Sequence, residues 1–394
     1  MARNLFTQAV EEVRASRRSV FDLTVSNPTR VGLRYDSAAV LGALGSHRAL
    51  DYDPQPKGLL GARQAVTRYY DGHVDPERIV LTTSTSEGYS FVFRLLCNAG
   101  DELLVPKPSY PLFEFLADLQ DVKLVPYPLI YDHGWQLDFP SMEKVVTPST
   151  RGVVVVHPNN PTGSYVHETE IGQLNAFCRE YGLALVVDEV FLDYRLGSPG
   201  AKSPARKVRD PSTEAPPIIE WSFARNREVL TFTLSGLSKI SALPQMKVAW
   251  IVTSGPEAQM REAMARLEVI ADTYLSMNAP IQWAVPLLLA QKEDIQQQLL
   301  KRVRNNLTEL DGQLARQAAC ERLSVEGGWY AVVRVPVTRS DEDLAIALVK
   351  KKGVIVHPGH FYDLPTDGYL VVSLIAEEGE FREGGERLIG FLNS

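Results

Sequence analysis

In TFTLSGLSKISALPQMKVAWIVTSG, residues 231–255, Lys239 follows an apolar-alternating run and stands among small residues. A lysine amine held away from water, or beside another cation, loses its proton at a lower pH and can then condense with an aldehyde. Ser235, Gly236 and Ser238 would let a second group approach it. The ordinary alternative is a loop lysine with its amine in water. Two further polar residues stand at the ends of apolar runs. In VVVVHPNNPTG, Asn160 could direct its amide at a ligand oxygen, or serve as an Asx turn capping a helix that begins near His167. In LALVVDEVF, Asp188 is costly to bury unless a cationic or protonated partner sits beside it. The turn in LTTSTSEGYS would present backbone N–H groups at a helix start, with the Thr85 and Ser86 hydroxyls as supplements, which suits an anion. Tyr110 in KPSYPLF could cover the face of a planar ligand, or pack on its own helix. Neither GxxxxGK[ST] nor GxGxxG occurs, so the phosphate loops of nucleoside triphosphatases and dinucleotide dehydrogenases are not indicated.

These residues need a scaffold, and the chain has one in its periodicity. RIVLTTS, DELLVPKP, DVKLVPYP, RGVVVVHP, LALVVDEV, VLTFTLSG and KVAWIVTSG are short, β-branched and largely apolar, as buried strands of a mostly parallel sheet must be. Helical patterns such as SEGYSFVFRLLCNAG, TEIGQLNAFCREYG and REAMARLEVIADTY fill the gaps. The spacing predicts an α/β fold: a three-layer large domain at 46–290 with a mostly parallel mixed sheet. A smaller α+β domain is expected from 1–45 and 291–394, closing over the site and containing a long amphipathic helix near 291–319. Ligands of such sheets gather beyond the C-terminal strand ends. The Pro-, Ser- and charge-rich stretch 195–217 reads as an exposed excursion.

Bulk properties narrow the class. With 41 basic and 48 acidic residues the chain carries a net charge of -7, its basic residues are dispersed, and nothing favours nucleic acid as a partner. Cys97, Cys178 and Cys320 match no paired-ligand spacing, so neither a metal site nor a disulfide framework is expected. No signal-like or membrane-length apolar stretch occurs, which points to a cytoplasmic protein without membrane attachment.

NNPTG, then VVDEV, then SGLSK, preceded by YDPQPKG and AGDELLVPKPSYPLF, resemble in this order the class I/II aminotransferases, pyridoxal 5'-phosphate enzymes of fold type I. The resemblance runs from about Asp22 to the C-terminus. It implies a transaminase moving an amino group from an amino acid to a 2-keto acid by a ping-pong route, with Lys239 forming the internal aldimine. Asp188 would pair with the pyridine nitrogen and Asn160 with the ring's 3-oxygen, while Tyr110 stacks on the ring. The phosphate would rest on Thr85, Ser86 and Glu87, near Ser235 and Ser238. Tyr52 would reach the phosphate of a neighbouring subunit, which implies a homodimer with composite sites.

Three positions depart from the family pattern. Lys247 stands where an arginine usually meets the phosphate, exchanging a bidentate fork for a point charge. Phe191 replaces a tyrosine donor to the 3-oxygen, with Tyr194 as a possible substitute. Val371 or Val372 occupies the place of the arginine that grips the substrate carboxylate. Arg30, Arg34, Arg334 and Arg382 are the candidate replacements, each with a solvated arginine as the alternative; Asn27 and His360 are further candidates for the substrate pocket. The missing arginine also keeps open a lyase, decarboxylase or oxidase on the same scaffold, since one carbanion can lead to several bond cleavages.

Overall fold

The computed structural model describes residues 4–16, 18–196 and 218–393. All seven apolar runs are strands, and Trp135–Leu137 adds an eighth. Numbered along the chain they are β1 (Ile79–Thr82), β2 (Glu102–Lys107), β3 (Lys123–Tyr131), β4 (Trp135–Leu137), β5 (Thr150–Val156), β6 (Ala184–Asp188), β7 (Thr231–Gly236) and β8 (Ala249–Ser254). They form one sheet in the order β1-β8-β7-β6-β5-β2-β3-β4.

The alternation of side chains along each strand builds the layers. Val154 and Val156 of β5, with Val186 of β6 and Phe232 of β7, face a cluster that includes helices Thr85–Leu96 and Glu257–Tyr274. Val153 and Val155, with Leu185 and Val187, face the opposite cluster, which contains Leu174 and Phe177 of helix Glu168–Tyr181. Both faces being covered, these strands carry apolar residues at nearly every position.

Strand direction fixes where the loops gather. β7, β6, β5, β2 and β3 run parallel, while β8 is antiparallel to both of its neighbours, β1 and β7. β1 therefore points the same way as β7, and the C-terminal ends of β1, β2, β5, β6 and β7 share one edge.

The C-terminal part carries a second sheet, ordered Glu321–Arg322, Tyr330–Arg334, Tyr369–Ser373, His357–Pro358. Its core is covered by helices Asp341–Lys352 and Glu378–Leu392 and by Lys292–Leu314, which contributes from Ile295 to Leu314. The N-terminal segment joins it: the Phe21 amide donates to the Gly353 carbonyl and Leu23 to Ile355. Helix Ser37–Ala43, read from sequence as part of this lobe, instead places Val40 and Ala43 in a cluster with Trp250 and Val252 of β8. The long helix is Lys292–Leu314, shorter than the apolar pattern suggested. Residues 197–217, most of the expected excursion, lie outside the described residues; Arg195 before them bridges to Gly327. No described helix is long and apolar enough to cross a membrane.

Candidate active site

Five strand ends deliver the site. After β7, a single helical turn, Leu237–Ile240, carries Lys239 to the edge of the sheet. Gly236 is required there, because a Cβ would stand 2.6 Å from the carbonyl oxygen of Val248, the residue before β8. The Lys239 Nζ lies 4.9 Å from the Trp329 ring and 5.5 Å from the Phe191 ring. Burial pushes its pKa down to about 8, against a smaller opposing pull from the charge of Asp188.

Asp188 ends β6, in register with Val156 of β5 and Leu234 of β7. Its Oδ1 accepts the Val190 amide at 3.0 Å, and its Oδ2 accepts the Tyr89 hydroxyl at 3.0 Å. Burial pushes its pKa up to about 6, and these two donors with Lys239 hold it from going higher. The protonated partner expected beside this aspartate is thus Tyr89, which the sequence reading did not single out. Helical spacing carried the signal: Tyr89 is one turn beyond Thr85 and shares its helix face.

Asn160 follows β5. The turn around it is built by its neighbour: Asn159 Nδ2 donates to the Pro108 carbonyl at 3.1 Å and to Thr162 Oγ1 at 2.9 Å. The helix start is capped by His167 and Glu170, so Asn160 is not the cap. Its Oδ1 is buried without a hydrogen-bond partner among the described residues. A buried amide end left unpaired costs about 1–3 kcal/mol, so this group is set aside for something other than the fold.

β1 leads into helix Thr85–Leu96, whose N-cap is Ser84. Ser84 Oγ accepts the Glu87 amide at 3.1 Å, while the amides of Thr85 and Ser86 have no acceptor among the described residues. They remain free donors at a helix start. The Glu87 carboxylate turns back to accept the Thr83 amide at 2.6 Å. With its amide and its side chain both engaged, Glu87 offers an anion nothing, contrary to the sequence expectation.

Tyr110, after β2, is 45% exposed at the mouth and near enough for the Asp188 charge to raise its pKa, after the larger effect of burial. Its loop is tied to the small lobe: the Ser109 amide donates to the Tyr362 carbonyl at 2.9 Å, and Lys107 pairs with Asp363 at 3.1 Å. Ser235 is buried, with its hydroxyl 3.4 Å from the Glu189 carbonyl, and Ser238 is half-buried on the Lys239 turn. Lys247 is exposed, at a left-handed φ of 53°, with no ion pair among the described residues.

The remaining expectations separate sharply. Tyr194 is no substitute for the missing tyrosine: fully buried, its hydroxyl donates to the Lys239 carbonyl at 2.6 Å. Val371 and Val372 are core residues. Arg334 pairs with Glu321 at 2.5 Å at the far end of its strand, and Arg382 lies 3.9 Å from Glu309 on the outer face of the C-terminal helix; neither is available to the cleft. Arg30 and Arg34 are exposed, and no described acidic group pairs with them. Arg30 closes a turn, Pro28–Arg30, that Asn27 caps by accepting the Thr29 amide at 3.0 Å. His360 is exposed, its ring edge-on to Phe361 at 4.8 Å. Tyr52 is 81% exposed.

Residues 22–378 match the family model described as aminotransferase class I and II. Among curated relatives, the glutamate-pyruvate aminotransferase AlaA of Escherichia coli (strain K12) is 25% identical, covering 90% of this chain and 86% of that protein. The alanine aminotransferase of Mycobacterium bovis is 24% identical over 98% of this chain and 89% of its own length. Among solved structures, an aminotransferase from Escherichia coli has a TM-score of 0.82 at 21% identity, covering 100% of this chain and 95% of that one. An alanine aminotransferase from Pyrococcus furiosus also has a TM-score of 0.82, at 20% identity, with coverage of 98% and 96%. The fold is the α/β fold type I that the motifs implied.

Proposed function

Because this chain belongs to the class I and II aminotransferases, we propose that its cleft holds pyridoxal 5'-phosphate and moves an amino group between a small 2-amino acid and a 2-keto acid. It is an enzyme of the transaminase class. The relatives described above are aminotransferases, which favours transfer over elimination, decarboxylation or oxidation.

The observation that carries the cofactor reading is the set of unspent groups at one sheet edge. The orphaned Asn160 Oδ1, the free amides of Thr85 and Ser86, the ionisable Asp188 and the amine of Lys239 have the chemistry of a pyridoxal phosphate site. Thr85 and Ser86 would take the phosphate at a helix start, with Lys247 as a point charge beside it. A half-turn of the Asn160 amide presents Nδ2 in place of Oδ1, so it can donate to the ring 3-oxygen. Bound there, the cofactor would supply an aldehyde for the amino group and a ring that withdraws electrons from the substrate Cα. Lys239 then takes a proton from Cα and returns it, its lowered pKa leaving part of the amine unprotonated at neutral pH. Asp188 keeps a negative charge facing the ring nitrogen. Phe191 and Trp329 wall the amine from water, in place of the polar contact that a tyrosine would give. Tyr110 covers the open face.

By analogy with the named relatives, alanine with pyruvate and glutamate with 2-oxoglutarate are the pairs to test first. The purified protein loaded with pyridoxal phosphate is mixed with single amino acids, without keto acid, and its absorption is followed. Conversion to the pyridoxamine form with release of the matching keto acid is the expected result. Release of ammonia or carbon dioxide would assign a different reaction, and the absence of any bound chromophore would remove the cofactor premise.

For the substrate carboxylate, Arg30 and Arg34 are the remaining arginines. Replacing the one that grips it with alanine raises KM by about 10-fold or more, the worth of a hydrogen bond to a charged group. Unchanged KM in both variants would move the grip to another group. Asn27 and His360 stay as candidates at the rim.

A homodimer with composite sites accords with the exposure of Tyr52, Leu50, Leu41 and Leu287, carried by elements packed on one another around helix Ala279–Ala290. Tyr52 would reach the partner's phosphate site. The large lobe to residue 290 and a small lobe from 291 onward, joined by the first 36 residues, would close over the substrate. A cytoplasmic setting suits the free thiols of Cys97, Cys178 and Cys320.

A further inference from the structure

Asp188 is held from a helix that otherwise serves the opposite end of the site. Helix Thr85–Leu96 begins with the free amides of Thr85 and Ser86, and one turn later its Tyr89 hydroxyl donates to Asp188 Oδ2 at 3.0 Å. Gly88 helps the approach: a Cβ there would meet Leu234 Cδ2 of β7 at 2.9 Å, so a larger residue would have to displace the end of that leucine. Tyr89 itself is 2% exposed and wedged edge-on against Phe113 at 5.3 Å, which leaves its hydroxyl one direction to point.

Building on the cofactor reading above, we propose that Tyr89 is a positioning residue that acts through Asp188. It fixes the carboxylate between its own hydroxyl and the Val190 amide and keeps it charged toward the ring nitrogen. The same helix would thereby set both the phosphate end and the nitrogen end of the cofactor, so their separation is fixed by one rigid element.

The charge on Asp188 needs this support. In the chain just after β6 its neighbours are the Val190 amide and the buried carboxyl of Glu189; from the other elements it is faced by Tyr89, by Lys239 and, at the mouth, by Tyr110. Burial pushes Glu189 up to about 8, and its two carboxyl oxygens accept Ser222 Oγ and the Phe223 amide, each at 2.6 Å, so its hydrogen bonds are made to that turn and not to Asp188. Burial and the Asp188 charge raise the Tyr89 phenol well above the ordinary tyrosine range, so it remains a donor at every working pH.

The test is a double-mutant cycle on the full-length protein with Tyr89→Phe and Asp188→Asn, read by steady-state kinetics, by cofactor dissociation and by the pH titration of the bound chromophore. Tyr89→Phe is expected to lower kcat by about 10-fold with KM little changed, the worth of one hydrogen bond to a charged acceptor. It should also speed cofactor loss and move the acid limb of the chromophore titration to higher pH, because a carboxylate that loses a donor takes up its proton more readily. In the Asp188→Asn background the same change should do almost nothing further. Equal effects of Tyr89→Phe in both backgrounds, or a lowered Tm with kcat and titration unmoved, would make Tyr89 a packing residue and overturn the proposal. Asp188→Asn with normal turnover would instead overturn the cofactor reading, so the two failures are distinct.

Discussion

Lys239→Ala is expected to fold normally and to transfer amino groups at least about 10⁴-fold more slowly, the upper range for loss of a positioned general base. The variant also loses the buried amine that could anchor an aldehyde covalently at this sheet edge. Borohydride treatment of the wild-type protein with pyridoxal phosphate should mark the peptide that contains Lys239, and the same treatment of the variant should leave it unmarked. Stability is not expected to fall. The folded state holds the amine in surroundings that disfavour its charge, so alanine relieves that cost, and a thermal melt should give an equal or higher Tm. The pH dependence has a definite sign. With a pKa of about 8, the free amine accumulates as pH rises through 8, so aldehyde capture by the cofactor-free protein should climb there and then level, well below the range of an exposed lysine. Capture that keeps climbing past pH 10, or a marked peptide elsewhere, would remove Lys239 from its role.

Asp188→Ala should slow turnover by about 10³-fold, the scale measured when one preorganised electrostatic group is removed from a site. Here stability should fall as well, because the Tyr89 hydroxyl and the Val190 amide lose their shared acceptor, at a cost of about 1–3 kcal/mol for each buried group left unpaired. Asp188→Asn separates the two effects: its amide oxygen still accepts a donor, so Tm largely recovers while turnover stays low for want of charge. In the cofactor-free protein the carboxylate takes its proton as pH falls through about 6; a cationic ring nitrogen beside it would hold that step lower, so turnover should decline at more acidic pH. Normal turnover in Asp188→Asn at pH 7 would contradict the pairing with the ring nitrogen.

Much of this was legible from the chain alone. The seven strands were readable because a buried parallel strand writes its environment into consecutive residues, as VVVV and LALVV do. Lys239, Asp188 and Asn160 could be found because each follows such a run within four residues, and strand ends are where an open α/β sheet presents its loops. These are local patterns, and local patterns survive in sequence. The family order of NNPTG, VVDEV and SGLSK then gave the chemistry.

What the chain did not disclose depends on partners distant in sequence. Tyr89 and Asp188 are 99 residues apart, and their contact exists because the helix that carries Tyr89 packs on β7 next to β6. Arg334 and Arg382 looked as free as Arg30 until Glu321 and Glu309 were placed beside them. Tyr194 has the right chemistry for the missing donor, and its hydroxyl is spent on the Lys239 carbonyl. Glu87 looked like part of an anion turn until Ser84 and Thr83 claimed its amide and its carboxylate. The sequence by itself determined the strands, the fold class and which residues are candidates for the chemistry, since side-chain period and strand-end position are properties of a few adjacent residues. Only the tertiary structure decided which polar groups remain unspent, because a hydrogen bond or ion pair is settled by whichever group the packed chain brings within about 3 Å, wherever it lies in the sequence.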